Sequence, residues 1–112
     1  MVSTPSMSAA TSKRLAFLEK MTASGSDDPL AWYGLALEYR SLERYEEALT
    51  TFNALRTKKP DYVAMYLMCG QMLEKAARKD EAREWLLAGM AVAGAKGDTH
   101  ALGELESALS TL

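Results

Sequence analysis

The chain contains one histidine, one cysteine and three prolines in 112 residues, and each scarcity removes a class of protein. Cys69 has no second cysteine to pair with, which argues against a disulfide-stapled secreted scaffold and for a reducing, cytoplasmic setting. His100 stands without the Cys, His or Asp spacing of a metal site, so neither a metal nor a catalytic base is expected, and no cofactor is implied. Charge of one sign is missing too. Thirteen Lys and Arg stand against 15 Asp and Glu, a net charge of −2, and this argues against nucleic acid as the main ligand, because phosphate binding needs a concentrated basic surface. No apolar run reaches the length of a membrane span, and the N-terminus lacks the basic and apolar regions of a signal peptide. Nowhere does the chain alternate apolar and polar residues as a half-buried strand does.

What remains is helical periodicity, repeated. Trp32, Leu35, Ala36, Tyr39, Ala48, Phe52, Leu55 and Pro60 recur as Tyr66, Cys69, Gly70, Leu73, Ala82, Leu86, Gly89 and Gly94 at a constant offset of 34 residues. A fixed interval of that size marks a repeat architecture. Each unit reads as two helices. The first runs from Pro29, behind the caps Asp27 and Asp28, to about Ser41, and the second from Tyr45 to about Thr57, ended by Pro60. The next pair runs from a cap at Asp61 to about Lys75, and from near Arg78 past Gly94 to a stop at Gly97. Ser12 is expected to cap a preceding helix on which Leu15, Leu18 and Met21 recur beside Phe17, with Gly25 ending it. After Asp98, residues Ala101, Leu102, Leu105, Ala108, Leu109 and Leu112 form one apolar stripe, as a terminal capping helix requires. Residues 1–11 show no period and read as a disordered tail, with 12–112 as a single domain. Within that domain, 12–25 is the N-terminal helix, 29–62 and 63–96 are the repeats, and 98–112 is the cap.

The pattern of Trp32, Leu35 and Tyr39, then Ala48 and Phe52, then Pro60, resembles the tetratricopeptide repeat family, and YRSLERYEEAL (39–49) is similar to its interhelical turn. The resemblance implies an all-α fold of helix-turn-helix repeats, an α-α superhelix made of half a repeat, two repeats and a C-terminal capping helix. Leu18 and Met21 then fall where the second helix of a preceding repeat puts its large and small residues, so the N-terminal helix is the half repeat. Glu43 and Ala77 stand at the turn position where the family often carries glycine, and a left-handed backbone there costs a side chain roughly 1 kcal/mol.

Opposite the residues that face its partner, the first helix of each repeat leaves a face free. In the family that face lines a concave groove for peptides. Here it carries Leu30, Tyr33, Leu37 and Arg40, then Ala64, Leu67, Gln71 and Glu74, with Met68 at the rim. Members that grip a terminal carboxylate use Lys and Asn where this chain has Tyr33, Leu37, Leu67 and Gln71, so that activity does not carry over. The expected role is a non-catalytic adaptor that holds an apolar or amphipathic segment of another protein. The rival expectation is a homodimer or larger self-assembly through the same face. His100 reads as a surface residue, Cys69 as a small filler between helices, and Met65, Met72 and Met90 as core packing.

Overall fold

Helix α1, Lys13–Ala23, opens where Ser12 Oγ accepts the Leu15 N–H at 2.9 Å. Residues 11–112 are those described by this computed structural model, so the expected tail lies almost wholly outside the described residues. Helix α2, Pro29–Ser41, has proline in its first turn and Asp28 Oδ1 accepting the Leu30 N–H at 3.0 Å. It is followed by α3 (Tyr45–Lys58), α4 (Val63–Lys75), α5 (Lys79–Lys96) and α6 (Thr99–Ser110). Asp98 caps α6 by accepting the Ala101 N–H at 3.0 Å. The chain is all-α, its six helices packed as helix-turn-helix repeats with no strand among the described residues.

The chain divides into two compact units after Lys58. In the first, α2 packs along α3, and α1 lies on α2. Its core is Leu35, Ala36 and Tyr39 from α2 with Ala48, Phe52 and Leu55 from α3, each at most 8% exposed. Leu15 and Leu18 seat α1, with Leu18 Cδ2 3.5 Å from where a Cβ on Gly34 would stand. The polar side of the α1–α2 contact is also paired. Ser12 Oγ–H donates to Glu38 Oε2 at 2.9 Å, and the buried Tyr39 hydroxyl donates to Glu19. Phe17 points outward, 64% exposed. Trp32 is half-buried rather than fully internal. Its indole N–H donates to the Ser26 carbonyl at 2.7 Å, and the Lys58 ammonium sits 5.0 Å above the ring.

In the second unit α5 packs along α4, and α6 lies against both. Tyr66, Cys69, Leu73, Ala82 and Leu86 fill the α4–α5 contact as the repeat interval predicts. Met65 and Met72 are buried there, whereas Met90 is only half-buried. Trp85 joins this core at 4% exposure, its ring 5.7 Å from that of Tyr66. Two glycines permit close approach. A Cβ on Gly70 would stand 2.5 Å from Leu86 Cδ2, and one on Gly89 would stand 2.5 Å from Tyr66 Cβ and 2.9 Å from Leu105 Cδ2.

One expected cap is corrected. Asp61 does not cap α4; the N-cap is Tyr62, without a side-chain hydrogen bond. The Asp61 carboxylate turns instead to Lys59 Nζ at 3.4 Å and Lys96 Nζ at 3.9 Å. Lys59 above all, with Lys96 behind it, holds its carboxyl below the usual range. Two cations outbid one backbone N–H.

The two interhelical turns are copies of each other. The Arg44 N–H donates to the Tyr39 carbonyl at 2.9 Å and the Glu43 N–H to Arg40 at 3.0 Å. Arg78 to Leu73 at 2.8 Å and Ala77 to Glu74 at 3.0 Å repeat the pair. This is the helix ending that needs a left-handed residue, and Glu43 at φ 59° and Ala77 at φ 62° supply it. Beyond each turn an arginine forks onto a glutamate, Arg44 on Glu47 and Arg78 on Glu81. Replacing Ala77 with glycine removes the steric cost of φ 62° and gives back part of that gain through the freer unfolded chain. A net stabilisation on the order of 0.5–1 kcal/mol is expected. Urea denaturation followed by circular dichroism measures it, and a lowered midpoint would show that the turn carries no strain.

Candidate functional site

Helices α4 and α6 run parallel, because residues early in one meet residues early in the other. Val63 and Ala64 share a hollow with Asp98 and Ala101, while at the far end the Thr111 hydroxyl donates to Glu74 Oε2 at 3.1 Å. Helix α6 begins 36 residues after α4. At that interval Leu102, Leu105 and Leu109 take the places of Tyr66, Cys69 and Leu73, and His100, Gly103 and Ser107 take those of Ala64, Leu67 and Gln71. The terminal helix is thus placed as a further first helix, held by Leu105 at 1% exposure, and it turns its own free face to that of α4.

Two adjoining hollows lie between these helices. The smaller, about 310 Å³, is mainly apolar, with Val63, Leu67, Met68, Ala101 and Leu105 in its lining. The larger, about 630 Å³ and more open, is polar at its far end, where Gln71, Glu74, Ser107 and Thr111 line it, with Glu104 between the two hollows. Leu67, His100 and Glu104 belong to both. The structure therefore gathers four expected site residues, Leu67, Met68, Gln71 and Glu74, into one cleft. The other four, Leu30, Tyr33, Leu37 and Arg40, lie on α2 in the first unit. Leu30 is 65% exposed and the remaining three are half-buried.

Pattern reading missed the opposite wall, His100, Gly103, Glu104, Ser107 and Thr111. Its signal was present in the 36-residue interval, two longer than that of the repeats. The lengthening follows α5, which runs 18 residues where α3 runs 14. His100 is a surface residue in the first turn of α6, its Nε2 3.4 Å from Glu104 Oε1, an ion pair only when the ring is protonated. Gly103 faces open space, with nothing within 4 Å of where its Cβ would be.

The groups with displaced proton affinities stand outside the cleft. Tyr39 is pushed up to about 12 by burial and then by its bond to Glu19. The Arg44 guanidinium holds Glu47 below the usual carboxylate range, and Glu47 in turn raises Arg44. Both belong to the α1–α2 contact and the first turn, where they are structural. Among the described residues no three His, Cys, Asp or Glu side chains are grouped to hold a metal ion. Nor is any helix among them long and apolar enough to cross a membrane.

The fold has counterparts among known proteins. A family model described as tetratricopeptide repeat matches residues 15–62 and 33–95. The solution structure of a Bordetella parapertussis protein is similar at 27% identity and a TM-score of 0.77, covering 90% of this chain and 88% of that one. The crystal structure of a tetratricopeptide repeat domain protein from Salinibacter ruber is similar at 33% identity and a TM-score of 0.68, covering 75% of this chain and 93% of that one. No curated protein matches the chain.

Proposed function

Because the chain belongs to the tetratricopeptide repeat family, whose domains generally act as protein–protein interaction modules, we propose that it is a cytoplasmic, non-catalytic adaptor that holds a peptide or helix of a partner protein on the free faces of its first helices. The observation that carries this reading is the α4–α6 cleft, an apolar hollow joined to a polar one. Binding sites for extended or helical segments have this composition, with apolar contact supplying affinity and a few polar groups fixing orientation. Leu67 and Met68 anchor the segment, and Gln71 and Glu74 orient it. The corresponding face of α2, with Leu30, Tyr33, Leu37 and Arg40, contributes in the same way through its own apolar side chains and one cation. Tyrosine and arginine are frequent hot-spot residues.

The test is affinity capture of partners by the wild-type chain and by a Tyr33→Asp/Leu67→Asp variant, with identification by mass spectrometry. Each aspartate places a charge where apolar contact is needed, and partner recovery is expected to fall at least about tenfold with the circular dichroism spectrum unchanged. A partner retained equally by both forms would move the site off these faces. If the bait recovers only itself, and light scattering shows a dimer that the variant loses, the faces serve self-assembly instead.

A further inference from the structure

The charges around the α4–α6 cleft are one-sided. Its acids are Glu74, Glu104 and Asp98, and no lysine or arginine lines either hollow. Helix α6 contains neither residue anywhere along its length and carries a further acid, exposed Glu106. The nearest cation in sequence, Lys75, is exposed and lies outside the lining.

Asp98 is occupied by the α6 cap, and Glu104 is approached by His100. Glu74 Oε2, at 3.1 Å, shares the one proton of the Thr111 hydroxyl with the Ala108 carbonyl at 2.8 Å, and its other oxygen accepts from neither. A carboxylate offers about four acceptor sites, so Glu74 and Glu104 have capacity left for a ligand. Helix direction reinforces their charge. The parallel α4 and α6 both end at the Glu74–Thr111 side, so their C-terminal partial charges, roughly −0.5 each, add to those of the acids. At the opposite end the N-termini of the same helices lie beside the apolar hollow and offset the charge of Asp98 and Glu104, which line it too, so the negative potential is strongest on the Glu74 side.

Resting on the reading of this cleft as the partner site, we infer that its ligand is a peptide segment pairing an aliphatic side chain with a lysine or arginine. The aliphatic group fills the hollow beside Val63, Leu67 and Met68, and the cation meets Glu74 and Glu104. Orientation follows from the charge gradient. A segment with an acid in place of the cation meets two carboxylates and two helix C-termini, and is rejected.

A phage-displayed random peptide library panned against the full chain tests this, with the affinities of enriched peptides measured by fluorescence anisotropy. Enrichment of an aliphatic residue near Lys or Arg is expected. The Glu74→Gln/Glu104→Gln variant should weaken those peptides about tenfold and flatten their salt dependence. Glutamine keeps an amide oxygen for the Thr111 hydroxyl, so the α4–α6 tie survives. As a control that leaves the protein untouched, changing the peptide's cation to glutamate should abolish binding to the wild type. Enriched peptides that are neutral or acidic, or that ignore the glutamine variant yet fail with Leu67→Asp, would overturn the charge inference and leave the cleft as partner site. No enrichment, or binding indifferent to both variants, would overturn both.

Discussion

Phe52→Ala is expected to destabilise the first unit by about 3–5 kcal/mol. Phe52 is fully buried at the middle of α3, on the side that packs against α2. Around it the sequence has chosen small residues, Ala36 on α2 and Ala48 on α3, both fully buried. Small residues let the helices approach; the phenylalanine fills what they leave. Truncating it removes the transfer energy of an aromatic side chain and leaves a void that alanine neighbours have no long side chains to refill. Urea denaturation with circular dichroism should show part of the helical signal melting at a much lower midpoint, because a loss of that size is a large share of a small domain's stability. An unchanged midpoint would take Phe52 out of the core and with it the 34-residue register of the two repeats.

Leu105→Ala is expected to cost about 2–5 kcal/mol in the second unit, and the loss falls mainly on α6. Leu105 is the one fully buried side chain of α6, at 1% exposure, and it reaches the Gly89 notch on α5. Leu102 and Leu109 are only half-buried. Without its anchor the helix retains the Asp98 cap and the Thr111–Glu74 bond, too little to hold a wall of the cleft. Hydrogen exchange should show the α6 amides losing protection while those of α4 and α5 keep most of theirs. Protection unchanged in α6 would mean that the half-buried leucines suffice.

These two residues also mark how far the sequence could be read. Phe52 was legible because a 34-residue interval carries its environment along with it: Ala48 and Ala82, Ala36 and Gly70, Phe52 and Leu86 all occupy equivalent buried places. The left-handed turns at Glu43 and Ala77 were legible from the glycine that the family often carries at that place. Trp85 was not. It stands beside Leu86, the position the repeat pattern uses, yet it is buried across the helix pair with its ring 5.7 Å from that of Tyr66. Asp61 was misread as a cap because its carboxylate turns to Lys59, two residues away, and to Lys96, 35 residues away, instead of to a backbone N–H of α4. The free face of α4 forms one wall of a cleft, whereas the facing wall was hidden by the longer interval that α5 imposes on α6.

The open space at Gly103 has a consequence for how such a module diversifies. At Gly70 and Gly89 an added carbon would stand 2.5 Å from Leu86 or Tyr66, so the packing must shift to take any larger residue. At Gly103 a new side chain projects into the cleft without touching the core, and within a helix it replaces the least favourable ordinary residue by a better one. On the proposed reading of the cleft as the partner site, a substitution at Gly103 therefore alters what the cleft admits without weakening the scaffold. Selection for a new partner and selection for folding act there on separate variables.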